Sequence, residues 1–530
     1  MTTVFTGRIR PLAPAIDTLA EAMAVDEGRI LAIGTDVEVS GRFPDADKVA
    51  VDGWVMPGLI EPHGHPAYSS ILLSDLVVDI RPVIVPDADG VLATLRRAVA
   101  DADGPVFANG WDALLQRGLP EPDLRFLDEL AGTVPLVVIH NSGHSAYFNT
   151  AAALAAGIDT QTPDPAGASF GRDANGDLTG VALEEAAVER VVAPMLANAQ
   201  QHLPRLLTAH LCDLASRGIT TVSDLSWNPQ LNSLVDALRT SGALPVRLRW
   251  YEMSRPGGTA AARGPADPLF RQVGVKTWSD GSPWIGNIAT SFPYLDTQAT
   301  RNLGLEPDHI GEANYTAGEL LAIAEPYAAG GWQLACHAHG DRAIDATLDV
   351  YEEIITRQDL ADHRFRLEHC GAMTHAQFER AAAIGVTVSL FVDHITYWGE
   401  VLVDDLFGPE RGGAWADAGA AFAAGHRATF HNDGWVTPNE PFRNMAVAET
   451  RTTRNGYRMP AGTPVTREQA LRAQTANAAW QLFSEHEVGE LTPGLFADFI
   501  VVDRDPVTVP AAELAQTVVR ATYLAGALVV

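Results

Sequence analysis

Several short apolar segments of this sequence end in side chains that could bind a metal. The motif "EPHGHP" supplies His63 and His65, and residues two apart on an extended chain face the same way. Four later segments carry a polar residue of this kind: Lys276, His337, His369 and Asp433. Neutral imidazoles and carboxylates are ligands that borderline divalent metals prefer. One such residue alone is usually structural, but the set predicts a metal site if the segments converge.

Lys276 is one of only two lysines in the chain, and Lys48 is the other. Lysine and arginine together number 37, so arginine supplies nearly all of these positive charges. Arginine stays protonated, whereas a buried lysine amine can lose its proton and act as a nucleophile. The retained lysine therefore suggests chemistry that a guanidinium cannot perform. The alternative is an ordinary lysine that pairs with Asp280 or that simply escaped substitution by arginine.

The elements that position these residues form a repeating pattern of a β-branched run, a turn and an Ala-rich helix. Near-continuous apolar runs are typical of parallel strands covered on both faces. We predict eight such strands, at residues 54–60, 218–225, 245–253, 273–278, 332–340, 364–370, 386–392 and 427–433. Eight βα units predict an α/β fold of the TIM-type (β/α)8 barrel class, whose chemistry lies at the carboxyl ends of the strands.

Two stretches do not fit a bare barrel at residues 54–484. The gap between the first two strands far exceeds an ordinary crossover, so residues 66–205 are expected to form an inserted α/β subdomain. Residues 1–53 and 485–530 contain short strands that cannot bury a core alone. We expect these two chain ends to pair into one small β-sandwich.

Composition excludes several classes of partner. A net charge of −29 over 530 residues opposes binding to nucleic acid or to an anionic membrane surface. No apolar run approaches the roughly 18–20 residues of a membrane span, and no signal peptide is expected at the N-terminus. The three cysteines form neither a disulfide framework nor a CxxC pair. A cytoplasmic location is the resulting expectation.

Longer motifs resemble those of the amidohydrolase superfamily over nearly the whole chain. They include "MPGLIEPHGH", "VKTWSDGS", "LACHAHGDRAID", "RLEHC", "HNDGWVTPNEP" and "TPGLFADFIVVDRDP". Within the superfamily, the sequence is most similar to amidohydrolase family 3, the branch that resembles N-substituted formamide deformylases. The motifs are specific for the superfamily and much less so for a substrate.

The resemblance implies a binuclear centre of two divalent ions, with zinc expected. It implies one metal on His63, His65 and Asp433, and a second on His337 and His369. It further implies that Lys276 bridges the two as a carbamate derived from carbon dioxide. His339, two residues after His337, could compete for the ligand role, and Glu61 replaces the aspartate or asparagine more usual in the family.

Such a centre implies hydrolysis of a carbonyl compound. A metal-bridging hydroxide would attack the carbon, and Asp433 would carry a proton to the departing amine. We therefore predict cleavage of a non-peptide carbon–nitrogen bond in an N-substituted formamide or an N-acyl amine. A cyclic amidase, a deaminase and a lactonase remain alternatives on the same site. An inactive barrel that only binds a ligand is an alternative of another class.

Further side chains are candidates for contact with a small-molecule substrate. They are His144, His339, His394, Trp111, Trp284 and Trp398. The aromatic residues suit an apolar or aryl-bearing substrate, although loop packing uses the same residue types. A homodimer is a further expectation.

Overall fold

The chain forms three separate β-sheets, of eight, six and seven strands. The computed structural model describes residues 1–197, 199–260, 262, 264 and 267–530. In chain order the strands are β1 (Thr3–Ile9), β2 (Ala20–Asp26), β3 (Arg29–Gly34), β4 (Asp47–Pro57), β5 (Leu59–Glu61), β6 (Val78–Asp79), β7 (Val106–Trp111), β8 (Leu136–His140), β9 (Ser145–Phe148), β10 (Ser169–Arg172), β11 (Leu178–Leu183), β12 (Ile219–Trp227), β13 (Arg247–Met253), β14 (Phe270–Trp278), β15 (Gln333–Ala338), β16 (Arg366–His369), β17 (Thr387–Leu390), β18 (Thr429–Phe430), β19 (Phe499–Val502), β20 (Val519–Leu524) and β21 (Ala527–Leu528).

Helices separate most of these strands. They are α1 (Asp36–Arg42), α2 (Pro66–Leu72), α3 (Ala88–Ala100), α4 (Leu124–Ala131), α5 (Thr150–Ala155), α6 (Glu185–Leu196), α7 (Leu203–Ser216), α8 (Asn232–Thr240), α9 (Gln298–Asn302), α10 (Ala317–Ala329), α11 (Asp341–Gln358), α12 (His375–Ala383), α13 (His394–Val401), α14 (Gly408–Arg411), α15 (Ala418–Ala423), α16 (Pro441–Thr450), α17 (Arg467–Ala473), α18 (Ala476–Gln481) and α19 (Ala511–Leu514). Across the described ranges, none of the helices is both long enough and apolar enough to cross a membrane.

The eight-stranded sheet is the predicted barrel. Its order is β18-β17-β16-β15-β14-β13-β12-β5, and its neighbours all pair in parallel. Each predicted strand overlaps an observed one, so the predicted fold class is confirmed. The first prediction, residues 54–60, covers two strands, because residues 54–57 belong to β4 of another sheet. Gly58 separates the two strands, and a Cβ there would lie 2.1 Å from Thr220 Oγ1.

The six-stranded sheet lies within the predicted insertion, in the order β10-β11-β9-β8-β7-β6. Strands β6, β7 and β8 are parallel, whereas β9, β10 and β11 pair in antiparallel fashion. This inserted sheet contacts the barrel directly. Trp398 Nε1 donates to Asp112 Oδ2 at 2.9 Å, and Asn141 Nδ2 donates to the Val436 carbonyl at 3.3 Å.

The two ends of the chain meet in the seven-stranded sheet, in the order β21-β20-β19-β4-β1-β2-β3. Strand β19 pairs in antiparallel fashion with β4, so the C-terminal segment hydrogen-bonds to the N-terminal one. Phe5, Phe499 and Tyr523 pack together, with ring centroids 4.3–5.5 Å apart. Strands from both ends of the chain thus pair within one seven-stranded sheet.

The contact between Asp112 of the inserted segment and Trp398 predicts that the stability of the protein depends on pH. Burial raises the pKa of Asp112 to about 6, above its ordinary value of 3.8. Folding therefore favours the protonated Asp112 side chain. The stability that this protonation contributes is lost as pH rises from about 4 through about 6. Across that window we expect the free energy of unfolding of the wild type to fall by up to roughly 3 kcal/mol relative to Asp112→Asn. Urea denaturation at several pH values measures this difference, and parallel curves for the two proteins would contradict it.

Candidate metal centre

The carboxyl ends of five barrel strands bring the predicted ligands together. His63 Nε2 and His65 Nε2 lie 3.3 Å and 3.2 Å from Asp433 Oδ1. The His369 ring lies 4.6 Å from that of His63 and 4.4 Å from that of His337. The side chains lie deep in the protein, with His63 fully buried. Residues from the first, fifth, sixth and eighth strands thus form one cluster.

The backbone at this cluster is strained. His369, Cys370 and Asp433 have φ angles of 70°, 52° and 51°, in the left-handed region that L-residues rarely adopt. Each such residue costs on the order of 1–3 kcal/mol and persists only where the surrounding fold enforces it. Two of the three are predicted ligands, so the fold holds strain at the position where chemistry is expected.

Each predicted histidine ligand has one ring nitrogen bonded to a protein group outside the ligand set. These bonds join His63 Nδ1 to Glu368 Oε2 (2.5 Å), His65 Nδ1 to Ser226 Oγ (2.7 Å), His337 Nε2 to the Gly281 carbonyl (2.8 Å) and His369 Nδ1 to His431 Nε2 (3.1 Å). The second nitrogen of each ring is left available to a metal. Partners of this kind orient the ligands of metal sites.

Among the residues that the structure describes, three groups of side chains have ligand atoms close enough to hold an ion, within 4.8 Å of one another. They are His63–His65–Asp433, His337–His339–His369 and His63–His369–His431. His63 Nε2 and Asp433 Oδ1 are buried without a hydrogen-bond partner among the described residues. Because an unpartnered buried polar atom is costly, a divalent cation between these atoms fits the site.

Two histidines of these groups, His339 and His431, were not among the ligands that the sequence predicted. His339 was expected as a competitor for the strand-five ligand, and its Nδ1 is buried without a partner among the described residues. His431 was missed, although it directly follows strand β18 and stands two positions before Asp433. Its place at the carboxyl end of a barrel strand is the signal that could have found it.

Lys276 is buried among these groups, with 1% of its surface exposed. In the described part of the chain, its amine has no hydrogen bond and no carboxylate oxygen within 4.0 Å. Asp280, the alternative partner, instead accepts from the backbone N–H groups of His339, Gly340 and Ala289. Burial lowers the pKa of Lys276, which favours the neutral amine.

Burial also lowers the pKa values of His63, His337 and His369, so these rings are neutral at physiological pH. Asp433 behaves in the opposite way. Burial alone would raise its pKa, but His63 and His65 outweigh burial and lower it well below the usual range. Neutral imidazoles beside an ionised carboxylate are the protonation states that a divalent metal requires.

A cavity of about 1110 Å³ opens onto the cluster. His65, Lys276, His337, His369 and Asp433 line one part of its wall. Another part is apolar and is formed by Ile71, Val188, Val192, Leu203, Leu231 and Leu234. A small molecule in this cavity can therefore contact the predicted metal-binding side chains and the aliphatic side chains at the same time.

The six predicted substrate-contact residues lie in three places. His144 lines the cavity. His339, His394, Trp284 and Trp398 form a buried group of rings, in which His339 and His394 stack at 5.4 Å and the two tryptophans at 4.7 Å. Trp111 packs with Phe126 and Tyr147 in the inserted sheet.

His144 is held by Glu184, a residue that the sequence did not single out. Its Nδ1 lies 3.0 Å from Glu184 Oε2, and its ring lies 4.7 Å from that of His337. Glu184 has a φ of 63° and also accepts hydrogen bonds from Asn287 and Asn314. The inserted segment thus presents an oriented imidazole to the cavity.

The model for the Amidohydrolase family matches residues 50–530. The chain belongs to the amidohydrolase family. The resemblance predicted from the motifs is therefore confirmed, and membership of this family indicates a hydrolase.

Several known proteins are similar to nearly the whole chain. An N-substituted formamide deformylase of Arthrobacter pascens is 28% identical over 97% of this chain and 95% of its own. Protein LONG AFTER FAR-RED 3 of Arabidopsis thaliana is 27% identical over 96% of this chain and 88% of its own. An uncharacterised metal-dependent hydrolase of Pyrococcus horikoshii matches with a TM-score of 0.74 and 21% identity, over 97% of this chain and 99% of that one.

The metal site predicts a stability effect. A ligand that binds only the folded protein and is present at 1,000 times its Kd raises the free energy of unfolding by about 4 kcal/mol. Dialysis against a chelator should therefore lower the melting temperature by several degrees, and added zinc should restore it. His63→Ala should remove most of the zinc-dependent shift. His375→Ala, whose side chain is 74% exposed, should keep it. Calorimetry measures the shift, and an equal response in both variants would contradict the site.

Proposed function

We propose that this protein is a metal-dependent hydrolase that cleaves a non-peptide carbon–nitrogen bond, in an N-substituted formamide or an N-acyl amine. The observation that carries the proposal is the position of Lys276. Its unpaired amine is buried in a cavity wall that also contains His65, His337, His369 and Asp433. The formamide deformylase relative supports the bond type.

The proposed centre divides the ligands into two sets. His63, His65 and Asp433 would hold one ion, and His337 and His369 the other, with zinc as the expected metal. The neutral Lys276 amine would add to carbon dioxide and lose a proton, and the resulting carbamate would be a further oxygen ligand. When bound, the ions would supply a nucleophilic hydroxide at neutral pH and polarise the substrate carbonyl.

Asp433 is the proposed proton carrier. As an ionised carboxylate at the cavity wall, it accepts a proton from the attacking water and delivers it to the departing nitrogen. Amines are poor leaving groups unless protonated, so this transfer is needed for an amide. The products are a carboxylic acid and an amine.

The cavity wall favours an apolar substituent on the substrate. The aliphatic residues of helices α6, α7 and α8 and their flanking loops would contact an alkyl or aryl group, and this contact contributes about 25 cal/mol per Å² of buried apolar surface. We propose that His144, oriented by Glu184, contacts the polar part of the substrate. The buried rings of His339, His394, Trp284 and Trp398 are proposed to support the site from behind.

Purified protein loaded with zinc should release amine from N-alkyl or N-aryl formamides or from N-acyl amines. Cyclic ureides, aminopurines and lactones, tested in parallel, address the cyclic amidase, deaminase and lactonase alternatives. Asp433→Asn should lower kcat by at least about 10²–10⁴-fold, the usual contribution of general acid–base catalysis. Metal that binds without any turnover in the screen would favour the alternative of a binding protein.

Lys276→Arg should abolish turnover and reduce the metal content, although the positive charge is kept, because a guanidinium forms no carbamate. Lys48→Arg changes the other, exposed lysine and is the matched control. Lys276→Ala should regain part of its activity when a short carboxylic acid is added with the metal. Labelled carbon dioxide should give a carbamate carbon signal in the wild type and none in either Lys276 variant. A fully active Lys276→Arg enzyme would exclude the carbamate.

A further inference from the structure

Beneath the candidate metal centre lies a buried ion pair that the proposed reaction does not use. Glu368 is fully buried, and its Oε2 lies 2.5 Å from His63 Nδ1. Arg366, also fully buried, approaches both oxygens of Glu368, at 2.7 Å and 3.0 Å. The carboxylate therefore has a cation on one side and a predicted metal ligand on the other.

The remaining donors of Arg366 are fixed as well. Nη1 donates to Tyr251 Oη at 2.9 Å, and Nη2 donates to the Pro62 carbonyl at 3.0 Å. A guanidinium has only donors, so the Glu368 oxygens that face it must accept. Glu368 is then an acceptor toward His63 as well, and the proton of the ring lies on Nδ1. The lone pair of Nε2 is left facing Asp433 Oδ1.

We infer that Glu368 is a positioning residue, which fixes His63 in the one tautomer whose Nε2 can bind the metal shared with His65 and Asp433. This inference rests on the proposed metal centre. The carboxylate also increases the electron density of the ring, as charged partners of metal-bound histidines do.

The other predicted histidine ligands form hydrogen bonds with uncharged groups, and the carboxyl nearest to them outside the ligand set, that of Asp280, lies 3.9 Å from His337 Nε2. A serine hydroxyl such as that of Ser226 can donate or accept, so it does not select a tautomer of His65. The Gly281 carbonyl selects one for His337 and carries no formal charge. Loss of the Glu368 carboxylate should therefore weaken the ion held by His63, His65 and Asp433 more than the ion held by His337 and His369.

Glu368→Gln tests this inference, because it keeps the shape of the side chain and changes its hydrogen bonds. The amide oxygen can still face Arg366, while the amide NH₂ donates to His63 Nδ1 and moves the ring proton to Nε2. We expect one of two zinc equivalents to bind about 10–100-fold more weakly, the usual effect of losing such a partner. Titration of metal-free protein with zinc against a chromophoric chelator measures both equivalents.

Asp498→Asn is the matched control. Asp498 and Arg247 form a similar buried pair, with contacts of 2.6 Å and 2.9 Å, but contact no predicted ligand. Both zinc equivalents should bind this variant as they bind the wild type. Equal zinc affinities in Glu368→Gln and the wild type would overturn the inference and leave the proposed function intact. A wild type that binds no zinc would overturn the proposed function itself.

A second measurement does not depend on the folding of Glu368→Gln. Nitrogen-15 NMR of histidine-labelled, metal-free wild type reports which ring nitrogen carries each proton, and His63→Asn identifies the His63 signals. A proton on Nδ1 with a free Nε2 supports the inference. A proton on Nε2 would overturn it.

Discussion

The parallel register of the barrel strands is the constraint on which the candidate metal centre depends. Neighbouring strands pair Trp278 with His337 and Ala338 with His369, so the polar strand ends fall at one level of the barrel. A slip of one residue would turn each side chain to the opposite face of the sheet. Histidine and aspartate residues far apart in the sequence meet only because this register is kept.

Much of this arrangement could be predicted from the sequence, because it depends on patterns along the chain. Apolar runs located the eight strands, and polar residues at five of the strand ends marked the candidate ligands. The insertion followed from an overlong gap between two strands. At the first strand the pattern was ambiguous, because a single run without charged residues extends from residue 54 to residue 60. Only pairing partners distinguish β4, which joins β1 and β19, from β5 of the barrel.

The parts that could not be predicted depend on contacts between distant segments. Glu368 stands beside a predicted ligand but acts on His63, and Glu184 orients a histidine 40 positions earlier. The sequence around these two glutamates does not distinguish them from glutamates without such a role. The predicted aromatic residues show the same limit, since residue type alone does not say whether Trp284 and Trp398 face a substrate or stack on each other. Burial makes such partners necessary, and the fold decides which they are.

The scarcity of lysine has a practical consequence for handling the protein. Lys48, in strand β4, is exposed, whereas the amine of Lys276 is enclosed. Lys48 is therefore the lysine that reagents acylating surface amines can reach, and it belongs to the sheet formed by the chain ends. Coupling to an activated resin or attachment of a dye would therefore orient the molecules uniformly through that sheet.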